Sequence, residues 1–172
     1  MAKMKGPDRV KAVLEALSLD CEVLTLPAST RTAEEAAAAV GCMVGEIAKS
    51  LVFRAGSGAV VAVLSGDDRL DPRKLSEVVG AEVERADAKF VRAATGFAIG
   101  GVPPLGHAGP VTLLMDTNLF RFARVWAAAG SPFSVFAIAP ARLRDAAGAT
   151  VAVLRAPIQK RMAPSAPYPQ GD

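Results

Sequence analysis

Residues Phe97 to His107 read FAIGGVPPLGH, a run that joins two adjacent glycines, two adjacent prolines and the single histidine of the chain. Gly100 and Gly101 permit positive φ and a close approach by another group, and Pro103 and Pro104 stiffen the second half of the run. A rigid loop with bare backbone N–H groups can hold a carbonyl oxygen or a developing oxyanion. The same residues also suit a tight connection into a strand at Val111, because Gly and Pro mostly punctuate. His107, beside this loop, has the chemistry of a proton carrier or substrate orienter, and equally that of a hydrogen-bonded surface residue.

Lys49 stands directly before Ser50 and the β-rich run LVF. In a strand that begins at Lys49, period two sets the lysine on the face of Leu51 and Phe53. Such a lysine either meets an anionic partner or snorkels its ammonium to water over an aliphatic stem. Asp116 ends the run VTLLMD, where its carboxylate either caps the DTN turn or points into a pocket. Cys21 and Cys42 fit neither a disulfide framework nor a zinc site, and Cys42 reads as an inert buried thiol. One histidine and no CxxC exclude most metal constellations, and no cofactor is expected. The absence of GxxxxGK[ST], GxGxxG and GxSxG removes the standard nucleotide loops and the serine-hydrolase elbow.

These residues need elements to hold them. PDRVKAVLEALS, from Pro7, sets Val10, Val13, Leu14 and Leu17 on one helical face, and CEVLTL comes next as a short strand. In STRTAEEAAAAVG, Thr32 is the N-cap, Glu35 completes a capping box and Gly41 ends the helix. VGEIAK predicts a second short helix. SLVFRAGSGAVVAVLSG predicts a β-hairpin turning at Gly56 to Gly58. DPRKLSEVVG is a helix from Pro72 to Gly80, AEVERA a short strand, and DAKFVRAAT a short helix opened by Asp87. PVTLLMD is a buried strand, and LFRFARVWAAAG fits strand and helix equally. SVFAIA is a strand, PARLRDAAG a helix and ATVAVL a last short strand. The irregular alternation predicts a single α/β (α+β) domain with a mixed sheet over residues 1–155. A Pro-rich flexible tail is expected over 156–172.

The 172 residues suffice for one domain with a real core, and 51% hydrophobic residues mark a folding sequence. A net charge of +3 permits a polyanionic partner without demanding one, and no clustered basic helix marks a DNA reader. MAKMKGPDRV lacks the apolar stretch of a signal peptide, and each apolar run is broken before it could span a membrane. A cytoplasmic protein with reduced thiols is expected.

Taken in order, TAEEAAAAVG, EIAKSLVF, ATGFAIGGVPPLGH and VTLLMD resemble the YbaK/prolyl-tRNA-synthetase-associated editing superfamily, over about Thr32 to Ala139. The resemblance implies a mostly antiparallel, partly barrel-like mixed sheet wrapped by helices. It also implies hydrolysis of mischarged aminoacyl-tRNA with no metal and no covalent nucleophile. By that resemblance the functional lysine falls on Lys49, the G-x-x-x-P loop on Gly100 to Pro104 and the strand-end aspartate on Asp116. Lys49, Gly101 and His107 are then the catalytic candidates. Thr32, Ser50, Gly100, Val102, Pro103, Pro104 and Asp116 are the candidates for touching substrate. The loop is most similar to the YbaK branch, which acts on Cys-tRNA(Pro), yet Pro103 stands where that branch usually has Ser and His107 where it often has Gln. The expected partners are the acceptor end of a mischarged tRNA and prolyl-tRNA synthetase. Two rival functions fit the same residues: a non-catalytic module that binds tRNA ends or a synthetase, and a small-molecule esterase or amidase with His107 as base.

Overall fold

Helix α1 (Gly6–Ala16) buries Val10 and Leu14, one turn apart on its inner face, and leads to β1 (Val23–Thr25). Helix α2 (Ala33–Val40) starts on the expected capping box. The Glu35 N–H donates to Thr32 Oγ1 at 3.1 Å, and Glu35 Oε1 accepts from the Thr32 N–H at 3.4 Å. Strands β2 (Ile47–Ala55) and β3 (Gly58–Ser65) form the hairpin. Helix α3 (Pro72–Val79) is capped by Asp71, β4 (Glu84–Arg85) is short, and α4 (Ala88–Thr95) is capped by Asp87. After the glycine-proline loop come β5 (Val111–Asp116), β6 (Val125–Ala128), β7 (Ser134–Ile138), α5 (Pro140–Ala147) and β8 (Thr150–Ala152). This is a computed structural model, and it describes residues 4–157.

One eight-stranded mixed sheet runs β1-β7-β6-β2-β3-β5-β8, with β4 paired to β2 off that path. Four pairings are antiparallel and three parallel. Strand β3 is buried on both faces. Val61 and Val63 point into one core with Phe97, Met115 and Phe136, while Val60, Ala62 and Leu64 point into another with Phe53, Leu75 and Leu114. A one-residue slip would exchange the two sets, so the pattern locks the register of the central strands.

β2 pairs with β3 along one edge, from Ala48 to Ala55. Its other edge is shared: β6 takes Ile47 and Ala48, and β4 takes Phe53 and Arg54. Lys49 to Val52 therefore have no strand partner on that side among the described residues. The hairpin closes on the Ala55–Gly58 pair. Antiparallel neighbours alternate in the direction of their hydrogen-bonding groups, so Ser50 and Val52 turn their backbone N–H and C=O toward the gap.

One expectation needs revision, and one open reading is decided. VGEIAK is not a helix: a single 3-10 turn (Val44–Glu46) leads into β2, which starts at Ile47, two residues before Lys49. Parallel pairing of Ile47 and Ala48 with Trp126 and Ala127 overrides the local helical pattern. LFRFARVWAAAG divides into a 3-10 helix (Thr117–Arg121) and strand β6. The expected tail begins where the chain is still tied down, since the Ala156 N–H donates to Arg69 O at 2.7 Å. From residue 158 onward it lies outside the described residues.

Candidate functional site

The gap in the β2 edge opens into a cleft of about 310 Å³. Its walls are the start of α2 with the residues before it (Thr30 to Glu34), β2 from Ile47 to Leu51, the loop residues Ile99, Gly100 and Val102, and Trp126 to Ala128 of β6. A smaller hollow of about 130 Å³ shares Ser50, Leu51, Ile99, Gly100 and Val102 and extends toward β4. Cleft and loop thus meet where the strand edge is bare.

Lys49 lies half-buried in this wall. Its Nζ donates to Asp68 O at 2.6 Å and to Gly66 O at 3.3 Å. An ammonium has three donors, so one N–H remains for a ligand. Burial pushes the Lys49 pKa below the ordinary lysine value, against the opposing pull of Glu34, Asp68 and Asp67. Glu34 is itself a cleft residue, so the cleft carries a carboxylate beside the ammonium, with Arg31 also in its wall.

The loop is fixed from behind. Thr95 Oγ1 donates to Val91 O at 2.7 Å and accepts from the Phe97 N–H at 3.1 Å. Phe97, Val102 and Leu105 are buried in the core. His107 Nε2 lies 2.7 Å from Pro103 O, a carbonyl that can only accept, so Nε2 carries the proton. Arg9 of α1 donates to Gly106 O at 2.7 Å and to His107 O at 3.1 Å. Gly100 sits at the third position of a turn closed by the Gly101 N–H on Ala98 O, and its φ of +96° is the conformation that this position favours in glycine.

The candidates divide on these facts. Lys49, Ser50, Gly100, Val102 and Thr32 all line the cleft. The Thr32 hydroxyl, however, is committed to the helix cap. Gly101 does not offer its N–H to a ligand: that group donates to Ala98 O at 3.0 Å, and its carbonyl accepts from Gly130 at 3.0 Å. The N–H groups of Ile99, Gly100 and Val102, the loop residues that line the cleft, have no such partner among the described residues. Pro103 and Pro104 are buried behind the loop and do not line the cleft. His107 is turned away too, its protonated nitrogen spent on the loop carbonyl. Burial holds its pKa below 6.5, the Pro103 carbonyl opposes that, and Arg9 adds to it.

Asp116 also leaves the cleft. It is wholly buried at the end of β5. Its Oδ1 accepts from the Asn118 N–H and from an Arg155 guanidinium N–H, both at 2.8 Å. Its Oδ2 accepts from the Leu154 N–H at 2.7 Å and the Arg155 N–H at 3.0 Å. With four donors on one carboxylate, Asp116 ties the segment after β8, at Leu154 and Arg155, to the end of β5. Its reach toward the cleft is indirect, through Asn118, whose amide holds the Asp68 carboxylate at 2.8 Å, and through Asp68, whose carbonyl accepts from Lys49.

Thr30, Arg31, Glu34, Ile99 and Trp126 line the cleft and were missed. Arg31 precedes the capping box and Glu34 lies inside it, so both were legible from its position. Trp126 carried no local signal, because only the parallel pairing of β6 with β2 brings it there. Among the described residues no group of three or more His, Cys, Asp or Glu could hold a metal ion. Burial raises the pKa of both Cys21 and Cys42, which leaves them protonated at neutral pH.

Residues 27–146 match the aminoacyl-tRNA editing domain. The chain belongs to that family of aminoacyl-tRNA deacylases. YwhH of Bacillus subtilis, a protein without an assigned function, is 34% identical over 125 residues, which cover 72% of this chain and 80% of YwhH. EbsC of Enterococcus faecalis, provisionally designated a Cys-tRNA(Pro)/Cys-tRNA(Cys) deacylase, is 31% identical over 63% of this chain and 68% of its own. The match to proline–tRNA ligase of a Thermoanaerobacter species is 32% identical, over 53% of this chain and 16% of the ligase. The crystal structure of a protein provisionally described as a trans-editing enzyme for prolyl-tRNA synthetase superposes with a TM-score of 0.84 at 44% identity, covering 91% of this chain and all of that one. The editing domain's fold therefore extends over nearly the whole described chain.

Proposed function

We propose that this domain acts in trans on mischarged tRNA and cleaves the ester between a wrong amino acid and the terminal ribose. The observation that carries the reading is the joining, in one cleft, of a bare strand edge, a half-buried ammonium with one free N–H, and a preorganised loop with uncommitted N–H groups, Gly100 and Val102 among them. Water attacks the acyl carbonyl carbon. The carbonyl oxygen becomes an oxyanion, held by the Gly100 and Val102 N–H groups, where fixed dipoles stabilise it without reorganisation. The C–O bond to the ribose then breaks, the ribose oxygen takes the proton released by water, and free amino acid and tRNA leave. The adjacent ribose hydroxyl orients the water, which is why the cleft needs no catalytic triad. Lys49 anchors the terminal adenosine or its phosphate.

A trans-acting role alongside prolyl-tRNA synthetase rests on the same similarity and belongs to this proposal, as does a cytoplasmic location. No helix among the described residues is long and apolar enough to cross a membrane. The esterase rival loses its base, because His107 faces the loop and not the cleft.

The test is a deacylation panel at substoichiometric protein, with Cys-, Ala-, Ser- and Thr-charged proline tRNA and correctly charged controls. Multiple turnovers on at least one mischarged species support the reading. Binding without turnover would make the chain a tRNA-end module instead.

A further inference from the structure

Ser50 is where the cleft holds a polar group that nothing in the protein satisfies. Its Oγ is the one buried side-chain oxygen or nitrogen without a hydrogen-bond partner among the described residues. Buried hydroxyls are nearly always paired, so an unpaired one calls for a cause. Folding does not supply it: the side chain lies on the same strand face as Ala48 and Val52, which pack into the apolar core. The orphan also lies at the junction of the cleft and the smaller hollow, since Ser50 lines both together with Gly100 and Val102. Gly100 and Val102 carry the N–H groups to which the proposed function gives the acyl carbonyl, so Ser50 shares the lining of the space in which the acyl side chain of that reading would lie.

The charged and polar side chains of the cleft, Arg31, Glu34 and Lys49 among them, stand on other parts of its lining, which also includes small apolar residues. Ala36, Ala127, Ala128 and Val135 offer contact but no hydrogen bond. We propose that Ser50 is the specificity residue of the cleft, and that it selects an acyl group with a hydroxyl on its β-carbon, serine or threonine, over the apolar analogues alanine and valine. This rests on the deacylase reading above. A hydroxyl both donates and accepts, and serine's three χ1 wells let Oγ meet an incoming hydroxyl without backbone movement. A site that pairs its own polar group with the substrate discriminates against an analogue that leaves the group unpaired.

The experiment measures kcat/KM for seryl-, alanyl-, threonyl- and valyl-tRNA(Pro) with wild type and with Ser50→Ala. One lost neutral hydrogen bond corresponds to about a tenfold change. The expected result is a serine-to-alanine ratio, and a threonine-to-valine ratio, each reduced about tenfold by Ser50→Ala, with Ser50→Thr restoring part of the first. The melting temperature of Ser50→Ala should hold or rise, because an unsatisfied buried hydroxyl has been removed. An equal fall on all four substrates would place Ser50 at the ester or the amino group and overturn the proposal, as would unaltered ratios. A wild-type protein that turns over none of the four overturns the deacylase reading itself, and the role of Ser50 with it.

Discussion

Replacing Asp116 by asparagine tests the difference between a substrate contact and a structural clasp. The carboxylate receives four donors within 3.0 Å: the N–H groups of Asn118, Leu154 and Arg155, and the Arg155 guanidinium. Asparagine keeps one acceptor oxygen and presents an NH2 where the other stood, so two of the four donors face another donor. The guanidinium also loses its ion-pair partner at 2.8 Å, where the carboxylate is fully buried. Losing this half-buried ion pair and leaving buried donors unpaired together cost about 3–5 kcal/mol, and at about 2–4 °C per kcal/mol for a chain of this size the melting temperature should fall by roughly 6–20 °C. Thermal denaturation monitored by circular dichroism reads this directly. Deacylation well below the lowered Tm should fall only modestly, through the slackened Asn118–Asp68 seat of Lys49. A variant with native Tm and abolished activity would refute the reasoning and return Asp116 to the substrate.

Lys49→Ala should lose most deacylation while keeping the fold, and Lys49→Arg should rescue it poorly, since a planar guanidinium does not fit two carbonyls arranged for an ammonium; wild-type rates from Lys49→Ala would end the role. Because burial lowers the Lys49 pKa, enzymatic rate corrected for spontaneous hydrolysis should decline on the alkaline side before an ordinary lysine would titrate, near 10.5. His107→Ala should reduce activity less than Lys49→Ala, by loosening the loop. His107 has a folded pKa below its unfolded value of about 6.5, so the unfolded state binds more protons in that window. Stability should therefore fall as pH drops through 6.5 toward the folded pKa, and His107→Ala should flatten that segment of a Tm-against-pH curve. In Gly101→Ala the new Cβ would meet the Ser131 backbone, Cα and N, at 2.8 Å. Overpacking of this kind costs about 1–3 kcal/mol, so a lowered Tm is expected. A native Tm would show that the loop moves aside more easily than its contacts indicate.

The sequence by itself determined what short-range chemistry controls. Thr32 with Glu35, Asp71 and Asp87 start their helices where capping residues must, because an N-cap acts within three residues of itself. The hairpin from Ser50 onward was legible from two β-rich runs about a glycine turn, and the glycine-proline loop from composition alone. Lys49, Ser50, Gly100 and Val102 were identified as site residues and do line the cleft. Tertiary structure decided the remainder, because side-chain partners lie far along the chain. Asp116 had two readings until Leu154 and Arg155, almost forty residues on, took up its oxygens. His107 looked available until Pro103 accepted its N–H, and Gly101 until Ala98 and Gly130 bonded both its backbone groups. The short run before Lys49 became strand, and Trp126 a cleft wall, only through pairing between β2 and β6. The cleft itself is an absence, a stretch of strand edge left between two partners, and no local pattern in the sequence encodes which edge goes unpaired.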